Sequence, residues 1–286
     1  MRAIFNCERL IFLGIAIEKK NVLRYDKKIW GDVEVVSRTN VYRVSSAQFL
    51  GARSRQEDTV SVSPNEVYGQ RGLLMVLADG MGGMANGHLF SQLVCEEMQR
   101  CFCTMELLPD MQQTLVQCFE AVQQRAVAMN RDAEDEGGAT MVAVLIRDEK
   151  CTFLSVGDSR LALIRNGGLI WLNRPQVMST RLDENVALGY LRQEDVQGSA
   201  LRDAVTGYVG SSAVFAADAC TAPFELIPGD RLALMSDGVT GTLNDKELLM
   251  YLMTPSDVTV SEVVQAVQRK KRPEQDNSSI LLAVVE

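Results

Sequence analysis

Leu73-Leu-Met-Val-Leu-Ala-Asp79-Gly-Met-Gly-Gly83 is the stretch on which the reading of the chain turns. Its apolar run, Leu73 to Leu77, predicts a buried strand, and that strand delivers Asp79 into a turn which Gly80, Gly82 and Gly83 allow to bend sharply. A carboxylate is thus held where a strand ends and the backbone is bare. Asp58, Asp158, Asp237 and Asp276 stand at comparable junctions, each beside an apolar run rather than on a solvated helix face.

Downstream of the glycines, Leu89, Phe90, Leu93, Val94, Met98 and Phe102 recur at three- and four-residue steps, the core stripe of an amphipathic helix. Pro109-Asp110 opens a second helix with Met111, Leu115, Phe119, Val122, Ala126 and Met129 as its stripe. Strands are predicted from Gly137 to Ile146, Cys151 to Val156, Leu161 to Arg165 and Leu169 to Leu172, with a hairpin at Asn166-Gly167-Gly168. Residues 173 to about 218 are polar and poorly periodic, as functional or mobile segments are. A strand then ends at Asp230, and Arg231 to Met235 forms another that opens into Ser236-Asp-Gly-Val-Thr240. Asn244 with Glu247, and Thr259 with Glu262, read as capping boxes for two helices, the second stopped by Pro273. Ser279 to Val285 closes the chain as a strand.

Upstream, Val41 to Ser46 alternates as an early strand does, leading into Ala52-Arg-Ser-Arg-Gln-Glu-Asp58. Residues 1 to 40 form an N-terminal extension of unknown role, an added strand or a loose arm. Strands, a helix pair, strands, a second helix pair and a last strand predict an α+β fold with two sheets packed face to face and helices outside. No repeat or linker divides residues 41–286, which are read as one domain.

The 286 residues carry a net charge of -8, which argues against a nucleic-acid surface; Arg269-Lys-Lys-Arg272 is the one basic run, at a helix C-terminus that the macrodipole favours. Seven cysteines without CxxC spacing suit reduced thiols in the cytoplasm. No signal peptide or membrane span is predicted, because Glu8 and Arg9 interrupt the first apolar residues.

Taken singly, Asp-Gly is an ordinary turn dipeptide. Five acidic junctions together are different: clustered carboxylates repel one another unless a cation or a proton compensates them. Oxygen ligands without spaced His or Cys suit Mg or Mn over Zn. Two such ions can activate a water and brace a phosphoryl group, and a nearby arginine would hold the phosphate. His88, the single histidine, reads as a surface or capping residue at a helix start, and Arg55 as a solvated neighbour.

The ordered set Arg53-x-x-x-Glu57-Asp58, Asp79-Gly-Met-Gly-Gly83, Gly138-Ala-Thr140, Gly157-Asp-Ser-Arg160, Ser236-Asp-Gly-Val-Thr240 and Asp276-Asn277 resembles the metal-dependent protein phosphatase family of PP2C type, in its bacterial form, from about residue 45 to 286. The resemblance implies a four-layer αββα sandwich, two mainly antiparallel sheets flanked by helix pairs, with two Mn or Mg ions in a cleft. It implies that Asp79 bridges both ions, with the Gly80 carbonyl on one. Asp237 and Asp276 would hold one ion, Glu57 and Asp58 the other, and Asp158 a third, weaker one. Arg53 would bind the phosphate, and residues 173 to 218 would be the flap.

The implied activity is hydrolysis of phosphoserine and phosphothreonine proteins by a metal-activated water, in a cytoplasmic monomer that opposes a Ser/Thr kinase. The alternative is a pseudophosphatase that binds a phosphoprotein or kinase without turnover. Three departures from the family pattern stand out: Gln56 in place of Asn, Met84 in place of His, and Asn173-Arg-Pro-Gln176 in place of a Thr-x-Asp-His-like segment. They leave few candidates to protonate the leaving alkoxide.

Overall fold

Every residue from Leu73 to Ala78 is fully buried, so the strand they form must be covered on both faces, and that requirement fixes the layer order. A computed structural model describes residues 33–36, 41–81, 86–131, 133, 136–197, 201–213 and 215–286. Most of the 1–40 extension, together with Gly82, Gly83 and Met84, lies outside the described residues.

The chain begins with β1 (Val33–Val36) and β2 (Val41–Phe49), then β3 (Asp58–Val62), α1 (Asn65–Arg71) and β4 (Leu73–Asp79). A helix pair follows, α2 (Gly87–Thr104) and α3 (Met111–Arg131), and after it β5 (Met141–Arg147), β6 (Lys150–Val156), β7 (Arg160–Arg165) and β8 (Gly168–Trp171). Next come α4 (Met178–Ala187), α5 (Gln193–Val196), β9 (Asp218–Ala219), β10 (Phe224–Glu225) and β11 (Arg231–Met235). The last elements are α6 (Asp237–Thr240), α7 (Asp245–Leu252), α8 (Thr259–Arg269) and β12 (Ser278–Val285).

The strands form two antiparallel sheets. The first runs β1-β2-β12-β11-β7-β8; the second runs β10-β6-β5-β4-β3, with β9 also on β6. Strand periodicity splits the apolar residues between layers. Leu73, Met75 and Leu77 of β4 meet Leu232 and Leu234 of β11 and Leu281, Ala283 and Val285 of β12 between the sheets. Leu74, Val76 and Ala78 face the other way, onto Phe90, Val94 and Met98 of α2 and Leu115 and Val122 of α3. On the far side Ala233, Met235, Ile280 and Leu282 pack against Leu248, Val263 and Val267 of α7 and α8. The result is the αββα sandwich.

Several local expectations hold in detail. Asp110 caps α3, its Oδ1 accepting from Gln112 N at 2.8 Å and Gln113 N at 3.2 Å. Asn244 and Glu247 form the capping box of α7. Asn166 and Gly167 both take positive φ, 52° and 73°, as a two-residue hairpin with type I′ twist requires. Other expectations fail. Thr259 is the first helical residue of α8 and not its cap; the N-cap is Val258, and the Thr259 hydroxyl donates to the carbonyls of Thr254 and Pro255. Strand β3 and helix α1 escape the sequence reading, and α4 and α5 lie in the stretch read as irregular. Strand β1, inside the stretch read as an extension, pairs with β2 and widens the first sheet.

Candidate metal centre

Asp58 and Asp79 are direct partners across the β3–β4 ladder, so two strands of the second sheet place both carboxylates at one edge. Asp237 begins α6 immediately after β11, and Asp276 precedes β12, both in the first sheet. Asp158 occupies the turn between β6 and β7, where the chain crosses from the second sheet to the first as it does again between β10 and β11. Edges of two packed sheets thus bring the five aspartates within electrostatic reach of one another.

Their protonation equilibria record the crowding. Burial first, and then the charge of Asp237, push Asp58 up to about 6, although hydroxyl and carboxyl hydrogen bonds oppose the rise. Asp79 is held well above the usual aspartate range by burial and then by Asp58, Asp237, Asp158 and Asp276 in turn. Asp158 is pushed up to about 7 by burial and by Asp237, and Asp237 is raised by burial and by Asp276. Asp79 lies within hydrogen-bond reach of both Asp58 and Asp237, which puts it at the centre of the row.

The two ends of the row are held differently. Asp58, 4% exposed, accepts hydrogen bonds at Oδ2 from Ser236 Oγ (2.9 Å) and Ser279 Oγ (2.6 Å). Its Oδ1 is buried and has no hydrogen-bond partner among the described residues. Asp276 is more open and takes Arg53 Nη2 at 2.7 Å. Glu57 lies beside the row: its backbone N–H donates to Asn277 Oδ1 at 2.7 Å, and its carboxylate acts on His88.

Glycine is required beside the carboxylates for reasons of space. A Cβ on Gly80 would lie 2.4 Å from the Gly87 carbonyl oxygen, and one on Gly238 only 1.9 Å from that of Asn277. Backbone packing at these two points is what lets the loops reach the sheet edges.

Residues to which sequence reasoning assigned no role complete the frame. Thr140 N–H donates to the Asp79 carbonyl at 2.8 Å, while Thr140 Oγ1 accepts from Asp79 N at 3.2 Å and meets Ser159 Oγ at 2.7 Å. Ser236 and Ser279, both fully buried, hold Asp58. A serine that points inward from an apolar strand is the signal that could have found Ser279. Asn173 and Gln176, noted as departures from the family pattern, clamp the turn that carries Asp158. Asn173 Nδ2 donates to the Ser159 carbonyl and Asn173 Oδ1 accepts from Leu161 N, while Gln176 N–H donates to the Gly157 carbonyl. Gln56 approaches Ser279 Oγ at 3.4 Å. His88 is not among the aspartates; Arg55 Nη1 lies 2.9 Å from its Nδ1 and 3.0 Å from its Nε2.

Among the described residues no three His, Cys, Asp or Glu side chains already enclose a metal position. The aspartates are gathered, and Asp276 is engaged by Arg53. The donor set nevertheless fits hard divalent cations: it is all oxygen, it is short of positive charge, and among the described residues the buried Asp58 Oδ1 lacks a hydrogen-bond partner. Among the described residues no helix is long and apolar enough to cross a membrane.

The family model described as protein phosphatase 2C matches residues 54–275. The chain is 23% identical over 199 residues to the protein phosphatase PhpP of Streptococcus pneumoniae, covering 68% of this chain and 78% of that one. It is 27% identical over 217 residues to the serine/threonine protein phosphatase PstP of Mycobacterium tuberculosis, covering 74% of this chain and 40% of PstP. The crystal structure of the PstP catalytic domain with 2 manganese ions superposes with a TM-score of 0.67 at 26% identity, over 86% of this chain and 99% of that one. The Streptococcus agalactiae serine/threonine phosphatase shares the fold with a TM-score of 0.73 at 22% identity, over 86% of this chain and all of that one.

Proposed function

The chain belongs to the protein phosphatase 2C family and is a serine/threonine phosphatase; from that premise we propose that it hydrolyses phosphoserine and phosphothreonine proteins with two Mn or Mg ions at the aspartate row. One observation carries the reading. Asp79 lies within hydrogen-bond reach of both Asp58 of its own sheet and Asp237, which follows β11 of the other, next to a buried carboxylate oxygen that has no partner among the described residues.

In this reading Asp79 and the Gly80 carbonyl would help to hold the ions, Asp237 and Asp276 would serve one of them, Asp58 and Glu57 the other, and Asp158 a third, weaker position. Bound divalent cations supply Lewis acidity toward the phosphoryl oxygens and activate the attacking water. The chain's own side chains do the rest. Ser236 and Ser279 fix the buried Asp58, and Thr140 fixes the backbone of Asp79. Arg53 presents a planar, two-pronged donor to the phosphate at the open end of the row. With His88 turned to Arg55, the leaving alkoxide takes its proton from solvent.

Residues 41–286 are the phosphatase unit in this reading, with the flap at about 173–218 and residues 1–40 as an extension. A monomer in the cytoplasm, opposing a Ser/Thr kinase, fits the chemistry and the free thiols among the described residues.

Asp79→Ala and Asp237→Ala should each abolish Mn-dependent hydrolysis of p-nitrophenyl phosphate. Wild-type turnover in either variant would overturn the assignment. A calorimetric Mn titration without heat, together with no hydrolysis by the wild type, would return the reading of a phosphoprotein-binding pseudophosphatase.

A further inference from the structure

The basic run Arg269-Lys-Lys-Arg272 divides in two where α8 ends. Arg269 pairs with Glu262 at 3.5 Å and Lys270 with Glu247 at 2.5 Å, so the first two cations are spent on neighbouring helical carboxylates. Lys271 and Arg272 are exposed, and among the described residues neither pairs with a carboxylate. Lys271 takes a left-handed φ of 51°, which turns the chain off the helix axis. Backbone bonds then fix the loop: Lys271 N donates to Gln268, Gln275 N to Arg272, and Ala52 N to Gln275 at 2.7 Å.

Two half-open cavities meet at this loop. One, of about 160 Å³, has Asp237, Asp276 and Glu274 on its wall together with Arg272. The other, of about 120 Å³, is lined by Lys271, Arg272, Gln268, Gln275, Phe49 and Ala52 among others, and among the described residues no carboxylate lines it. Arg272 and Gln275 belong to both. Gln275 is buried and immobilised, donating to the Gly238 carbonyl at 3.1 Å and accepting from Thr242 Oγ1 at 3.1 Å. Ala52 immediately precedes Arg53. A cation-lined hollow therefore continues the rim of the aspartate cleft just beyond the arginine assigned to phosphate.

We infer that Lys271 and Arg272 form a second anion subsite, which takes a carboxylate or phosphate side chain flanking the phosphorylated residue of the protein substrate. In a chain of net charge -8, two cations with no carboxylate partner among the described residues place positive charge beside the cleft, where such a substrate must lie. The guanidinium of Arg272 is suited to two-pronged capture of either anion, and the Lys271 ammonium adds a point charge. The subsite rests on the phosphatase reading for its placement, but binding alone can test it.

The experiment compares the wild type with the double variant Lys271→Asn, Arg272→Gln on three phosphothreonine peptides, whose flanks are aspartate-rich, phosphoserine-bearing or neutral. The wild type should favour the two acidic peptides in kcat/KM, and the double variant should lose about tenfold on them, as rim charges do, together with the salt dependence of the preference. Its turnover of p-nitrophenyl phosphate and of the neutral peptide should stay within about twofold. Loss on only one acidic peptide would identify the flank as carboxylate or as phosphate. No acidic preference in the wild type, or full preference in the double variant, would overturn the inference. A parallel anisotropy measurement in chelator uses fluorescent acidic-flank peptides with alanine in place of phosphothreonine. Weaker binding by the double variant there supports the subsite even if hydrolysis is absent, and equal binding sinks it even if hydrolysis is present.

Discussion

Asp58 and Asp276 terminate one row of carboxylates and live under opposite conditions. Asp58 is sealed between the sheets and held by two neutral hydroxyls; among the described residues one of its oxygens is unpartnered and no cationic side chain pairs with it. Asp276 stands in the open with a guanidinium 2.7 Å away. A buried carboxylate without a cation is costly, whereas an exposed ion pair contributes little either way. The asymmetry teaches where the protein carries the electrostatic strain of its site: at the sealed end, where water cannot relieve it.

The largest expected effect comes from breaking that sealed end. Asp58→Asn keeps the shape and removes the charge, and turnover of p-nitrophenyl phosphate should fall about a thousandfold, roughly 4 kcal/mol of barrier. A variant within threefold of wild type would show that the open end suffices. Next, replacing Ser236 and Ser279 together by Ala leaves Asp58 charged but unsupported. Mn affinity by calorimetry should drop between about tenfold and a hundredfold, the usual consequence of removing groups that orient a ligand.

The third test reads stability in chelator. Asp58 and Asp158 titrate at about 6 and about 7 when folded, above the ordinary aspartate value of 3.8. The folded state therefore keeps protons that the unfolded chain has already lost, so stability is fully present below pH about 4 and falls as pH rises through about 6 to 7. Thermal unfolding should be several degrees higher at about pH 5 than at about pH 7.5, a difference on the order of 2 kcal/mol. Asp58→Asn should flatten the dependence, and a wild-type curve that rises with pH would contradict the burial of these carboxylates. The smallest effect belongs to the open end: Arg53→Ala should raise KM about tenfold with little change in kcat. An unchanged KM would remove Arg53 from phosphate binding.

The layers were legible because their periodicities are strong. Strand β4 is apolar on both faces, α2 and α3 carry continuous stripes, and Asn244 with Glu247 encodes a cap in four residues. The aspartates were legible for a related reason: each interrupts an apolar run. Strand β3 was not, because Asp58-Thr-Val-Ser-Val62 points Thr59 and Ser61 at polar groups of α2, Ser91 Oγ and Gln99 Nε2, which dilutes its apolar pattern. Helix α4 was hidden for want of a core, since none of its residues is buried. Thr259 misled because its hydroxyl turns back to the preceding turn, where it competes with capping. Ser279 could not be read as a support of Asp58, because the two meet only when the sheets are stacked.

That meeting makes Ser236 and Ser279 a vernier between the two sheets. Ser279 lies on β12 of the first sheet and Ser236 directly follows β11 of that sheet, and both grip an aspartate of the second, through contacts of 2.6 and 2.9 Å. The greasy interface between the layers tolerates a slide of an ångström at modest cost, since apolar contact has no preferred direction. Hydrogen bonds do not tolerate it. Substitutions deep in the inter-sheet core, far from any aspartate, should therefore announce themselves in catalytic rate before they register in a melting curve.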